Sequence, residues 1–256
     1  MKSEAKQFFA PQAWVAGAWA KDVLLGVAAD GRWSQIQPNA SAQQQAAATR
    51  LGGPVLPGVV NAHSHAFQRA IVGLTERRST GAALADDFWS WRDRMYAAAN
   101  CITPEQMETI ASQLYAELLA GGYTQVCEFH YLHNAIAGSP YAKAAEMSLA
   151  LVRAAQRTGM GLTLLPTLYM RAGFADSGLR HDQRRFASTP DSIVRIVEDV
   201  QHHAAGDARI NVGVAIHSLR AVSPPALKEL AAYAHSAGLP VHIHIAEQTQ
   251  EVDDCL

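Results

Sequence analysis

The 256 residues are 49% hydrophobic, enough for one large α/β barrel or two modest domains and too apolar for a disordered chain. The formal charge of −2 comes with no basic stripe and no polybasic run, so neither nucleic acid nor a membrane surface is an expected partner. No run of about 18 apolar residues suggests a membrane span, and no signal core opens the chain. Three cysteines without a CxxC (Cys101, Cys127, Cys255) suit reduced thiols, so a cytoplasmic location is expected.

Residues 1–54 read as a small β module. Short β-like runs fall at 13–19, 22–27 and 33–36, with a turn signal at Ala29-Asp30-Gly31-Arg32. Residues 42–49 are rich in Ala and Gln and ambiguous. From residue 55 the pattern alternates. Strands are predicted at 55–62, 124–129, 162–168, 210–216 and 241–246. Helices are predicted at 103–120, 141–157, 189–202 and 223–238. The first of these has Thr103 as cap, Pro104 in the first helical position and Gln106 closing a capping box. The stretch 67–100 reads as long and irregular, and loops of that length are often functional. A polar loop precedes Thr189. Arg77, Arg78, Arg184 and Arg185 are expected on solvated faces.

Alternation of this kind implies an α/β fold with a parallel sheet and helices outside it. Polar residues gather at the C-terminal strand ends, the rim that carries the active site in a (β/α)8 barrel. No GxGxxG or Walker A motif supports an open nucleotide-binding sheet instead. Five βα units are visible, so the chain is expected to be the N-terminal part of a longer barrel. The organisation is then 1–54 as a partial β-sandwich module and 55–256 as barrel strands one to five.

The first barrel strand closes on PGVVNAHSH (57–65), and the fifth reads VHIHIAE (241–247). Side chains two apart on a strand share a side, so His63 and His65 can aim two imidazoles at one point. His244 offers a third, and neutral imidazole is a good ligand for zinc and its neighbours. Glu247, three residues past His244, can curl over such an ion and move protons there. Each pair alone reads equally well as histidines at a core edge. The two motifs together, on strands of one βα repeat, predict a metal site. Zn2+ is the first choice of ion, with Fe or Mn also suited.

PGVVNAHSH followed four strands later by HIHIAE resembles the amidohydrolase superfamily, metal-dependent hydrolases on a (β/α)8 barrel with a small β-sandwich built from both chain ends. The resemblance implies His63, His65 and His244 as metal ligands and Glu247 as the proton-transfer residue. It also implies a His at strand six and an Asp at strand eight, outside these residues. The fourth strand has no lysine, which favours one metal over two. HAFQR (65–69), FWSWR (88–92), EFHY (128–131) and HSLR (217–220) are similar to the formimidoylglutamate deiminases of histidine degradation. That likeness implies hydrolysis of N-formimino-L-glutamate, a C–N bond cleavage in a linear amidine, to N-formyl-L-glutamate and ammonia. By the same likeness Gln68, Arg92, Tyr131, His217 and Arg220 form the substrate pocket. Forked arginines suit a small acidic substrate. Trp89 and Trp91 stay open between core and pocket wall. The rivals are a deaminase of guanine, cytosine or an adenosyl nucleoside, and a non-catalytic barrel or inactive fragment. A homodimer is kept as an open expectation.

Overall fold

The computed structural model describes residues 5–75 and 88–256, with 88 and 89 as backbone alone. The chain divides into two compact units, Met1–Gly58 and Val59–Leu256.

The first unit is a four-stranded sheet. Strands β1 (Lys6–Val15) and β2 (Ala18–Val27) form an antiparallel hairpin, β3 (Trp33–Gln37) extends β2, and β4 (Thr49–Arg50) lies parallel to β1. The run expected as one strand at 13–19 is the hairpin itself. Ala16 and Gly17 make its two-residue loop with φ of 50° and 86°, the doubly positive pair that matches strand twist. The ambiguous stretch holds a short helix, α1 (Ala42–Ala47). Ser41 and Gln44 form its capping box, which stabilises a helix end by about 1 kcal/mol. Ala10, Ala13, Val23 and Leu25 make this unit's core.

In the second unit the strands are β5 (Val59–Ser64), β6 (Tyr123–His130), β7 (Gly161–Leu168), β8 (Ile210–Val212), β9 (Val214–Ile216) and β10 (Val241–Ile243). All pair in parallel, in the order β10-β9-β7-β6-β5, with β8 also on β7. Strands adjacent in sequence are thus adjacent in the sheet, with helices between them, as in the first half of a (β/α)8 barrel. Leu162, Leu164, Leu165 and Phe129 are fully buried in its core, each stabilising by about 1.5–3 kcal/mol.

Helices are α2 (Phe88–Ala99), α3 (Pro104–Ala120), α4 (Glu146–Thr158), α5 (Pro190–His203), α6 (Pro224–Ser236) and α7 (Thr249–Cys255). The box at Thr103 and Gln106 is present. Gly159 ends α4 in the left-handed conformation at φ 84°, where glycine carries no Cβ penalty.

Several elements differ from the sequence reading. The stretch 67–100 is not irregular throughout: it carries a 3-10 turn, Ala66–Ile71, and α2. The polar loop before Thr189 holds another 3-10 turn, His181–Phe186. Helix α4 starts at Glu146, five residues later than predicted. The strand predicted at 210–216 is broken at Gly213, where a Cβ would stand 2.6 Å from the Pro240 carbonyl oxygen. The fifth strand ends at Ile243, so His244 lies just beyond it. Val59 and Val60 of the first strand are 52% and 55% exposed; among the described residues β5 pairs only with β6. Arg185 is fully buried rather than solvated. It donates to the carbonyl oxygens of Asn134 and Ala99, knotting the 3-10 turn to the end of α2. Arg77 and Arg78 lie outside the described residues.

Candidate metal centre

Strands β5 and β10 stand at opposite ends of the sheet's strand order. In a flat sheet four spacings would hold them about 19 Å apart. Yet the His63 Nε2 lies 3.0 Å from His65 Nε2 and 3.1 Å from His244 Nε2. Two imidazoles cannot bridge so wide a gap, so the sheet is curled. One ring nitrogen from each of His63, His65 and His244 falls within 4.8 Å of the others.

Proton counting tests whether this cluster suits a cation. His65 Nδ1 lies 2.8 Å from the Phe129 carbonyl oxygen. The oxygen only accepts, so Nδ1 carries the hydrogen and Nε2 presents a lone pair. His63 Nε2 meets two nitrogens and carries at most one hydrogen. The His65 lone pair requires His63 Nε2 to donate, which leaves His63 no lone pair for His244, so neutral rings cannot make hydrogen bonds of both approaches. A tetrahedral zinc with ligands at about 2.05 Å separates its nitrogens by about 3.3 Å, close to the spacing here. The donor set therefore fits a divalent ion.

Electrostatics agree. Burial first, then the neighbouring His63 and His244, push His65 down to about 3. Burial and His63 push His244 down to about 4. His63 is lowered by burial and by His242. All three are neutral at pH 7, the form that ligates. Phe129 forms the floor, stacked on the His244 ring at 4.1 Å between centroids.

A cavity of about 410 Å³ opens above the cluster. Every residue expected from the sequence as ligand, proton carrier or substrate contact lines it. Gln68 comes from the turn after β5, Tyr131 from the end of β6, and His217 and Arg220 from the segment after β9. Arg92 comes from helix α2, not from a loop, one turn ahead of Tyr96. Its guanidinium lies 5.5 Å from the Tyr96 ring centroid. Trp91 lines the cavity and also packs on the core. Trp89 has no described side chain. Ala246, at φ 56°, turns the chain between His244 and Glu247. A non-glycine residue there is uncommon and marks backbone held by its surroundings. Burial, then the nearby Glu251, raise the Glu247 carboxyl above its ordinary range, with Arg220 opposing.

Burial first, then the neighbouring His244 and Arg220, push His217 well below its ordinary value, so its ring is neutral. Burial raises Tyr131 well above the usual phenol range, so its hydroxyl keeps its proton.

Three supporting residues were not assigned roles from sequence. Arg171 donates to the carbonyls of Leu219, Arg220 and Val222, while Met170 and Arg171 N–H donate to that of Ala221. The turn that carries Arg220 is thus capped at every carbonyl. Glu128, 1% exposed, accepts from the Ala66 N–H directly after His65 and from the Tyr115 hydroxyl. Its sequence signals were an acid in an apolar strand and its place in EFHY. Tyr96 reaches the cavity from α2, a helix the sequence did not announce.

The chain matches the amidohydrolase family over residues 55–256 and belongs to that family. It is 46% identical over 96% of its length to a formimidoylglutamate deiminase of Pseudomonas aeruginosa, covering 53% of that protein. It is 28% identical over 79% of its length to an 8-oxoguanine deaminase of the same organism, covering 42% of that protein. The structure superposes on an amidohydrolase from Brucella melitensis with a TM-score of 0.88 at 41% identity, over 98% of this chain and 54% of that one. A guanine deaminase from C. acetobutylicum shares the fold, at TM-score 0.69 and 14% identity over 97% of this chain and 54% of that one. The chain thus spans about half the length of the relatives it matches. Among the described residues no helix is long and apolar enough to cross a membrane.

Proposed function

We propose that the full chain hydrolyses N-formimino-L-glutamate to N-formyl-L-glutamate and ammonia, as a cytoplasmic enzyme of histidine breakdown. The observation that carries this reading is the pairing, in one cavity, of three convergent imidazoles with two guanidiniums, those of Arg92 and Arg220. A neutral purine calls for stacking surfaces, whereas two forked cations suit a substrate with two carboxylates.

His63, His65 and His244 would hold the metal. When bound, zinc supplies Lewis acidity and lowers the pKa of water to about 7. Arg92 and Arg220 bind the carboxylates and so orient the formimino group toward the imidazoles. His217, Tyr131 and Gln68 complete its polar contacts. Glu247, with its raised carboxyl, holds a proton at neutral pH more readily than a solvated acid does. It carries that proton to the departing nitrogen, which leaves as ammonia. Ammonia release from N-formimino-L-glutamate by the full chain tests this. Glu247→Gln is expected to lower kcat by at least about 100-fold, and near-normal turnover would remove Glu247 from the mechanism.

A further inference from the structure

Helix α2 and the 3-10 turn His181–Phe186 meet around a small polar cluster. Asn100 donates to the carbonyls of Tyr96 and Asp182, tying the two segments together. Gln183, 1% exposed, stands between two phenols. Its Oε1 accepts from the Arg180 N–H at 3.0 Å, which fixes the amide orientation. Its Nε2 therefore faces the hydroxyls of Tyr96 at 3.1 Å and Tyr169 at 3.0 Å. The two hydroxyls lie 3.4 Å apart.

An amide nitrogen has two hydrogens, one for each phenol oxygen, so both hydroxyls accept from Gln183. At 3.4 Å the two hydroxyls make a long contact in which either could be the donor. The Tyr96 hydrogen is therefore held by no more than that one long contact. Tyr96 lines the same cavity as Arg92 and Arg220, and Arg92 lies one helical turn before it.

We infer that Tyr96 is a further substrate-binding residue, whose hydroxyl donates a hydrogen bond to a carboxylate held by Arg92 or Arg220. Gln183 acts through it, as a positioning residue that donates to the hydroxyl oxygen. The inference rests on the dicarboxylate reading above and names one more group that selects for it. A hydroxyl donating to a charged oxygen contributes a factor of about 10 or more in affinity.

The test is Tyr96→Phe in the full chain, a change of one oxygen. The expected result is a KM for N-formimino-L-glutamate raised about 10-fold, with kcat within about twofold, and glutarate binding weakened to match by calorimetry. An unchanged KM with unchanged glutarate affinity would overturn the assignment, as would a loss confined to kcat. If the wild type does not turn over formiminoglutamate but Tyr96→Phe still weakens glutarate, the functional reading falls and Tyr96 stands. If the wild type binds no glutarate, both fall.

Discussion

His63 Nε2 lies 3.1 Å from His244 Nε2, although 181 positions of chain separate the two. The curl of the six-stranded parallel sheet closes that gap, and the approach has a direct consequence for metal binding. His242, only two residues from His244, is not among the convergent nitrogens. In the full chain, His63→Ala or His244→Ala is expected to lower bound metal from about one equivalent to a small residue, since each removes one of the three imidazoles that would hold it. His242→Ala is expected to leave it unchanged. Elemental analysis of the purified variants reads this. An equal fall in all three would break the assignment.

Arg92 and Arg220 face one cavity but come from a helix and a turn. Truncating either to Met is expected to raise KM for the dicarboxylate by about 10- to 100-fold, with metal content intact. Steady-state kinetics on the two variants give the answer. A rise for one arginine only would show that the other serves structure.

Glu128 links site and stability. Burial pushes its carboxyl up to about 7, against the hydrogen bonds it accepts from Ala66, Ser64 and Tyr115. The native protein therefore keeps this proton up to about pH 7, while the unfolded chain releases it near pH 4.5. The native state binds more protons inside that window, so stability falls as pH rises from about 4.5 to 7 and levels above it. The span is at most about 3 kcal/mol. Glu128→Gln removes the dependence. Relative to wild type, its Tm should be lowest near about pH 5 and should gain steadily toward about pH 8. A constant offset across that range would contradict the account.

Arg185 is wholly buried, its guanidinium on two main-chain carbonyls and the Met147 sulfur. Arg185→Met preserves much of the volume but strands those carbonyls. The expected cost is about 2–4 kcal/mol, read as a lower denaturant midpoint at unchanged slope. A change under about 0.5 kcal/mol would mean that water replaces the guanidinium.

Much of this site is legible in the sequence because its determinants are local. The i, i+2 spacing of His63 and His65 needs only strand geometry, and Thr103, Pro104 and Gln106 announce α3 by capping chemistry. The βα alternation then places both motifs on one rim. What escaped depends on tertiary packing. Arg185 has the local signature of a surface arginine, and only the carbonyls of Asn134 and Ala99 draw it inward. The break at Gly213 comes from the Pro240 carbonyl, contributed by the next βα unit. The positive φ of Ala246, which turns the chain before Glu247, has no sequence signal at all. Helix α2 shows no clean apolar stripe, with Phe88, Trp89, Trp91, Met95 and Tyr96 interleaved with Arg92, Asp93 and Arg94, so Arg92 was expected on a loop.

Substrate choice tests the two guanidiniums most directly. The measurement is kcat/KM of the metal-loaded full chain for ammonia release from N-formimino-L-glutamate, beside guanine and 8-oxoguanine. The two guanidiniums predict a preference for formiminoglutamate of at least about 100-fold, since a hydrogen bond to a charged group is worth about 1.5–3 kcal/mol and a purine forgoes both carboxylate pairings. Turnover of either purine at a comparable or higher kcat/KM would contradict it.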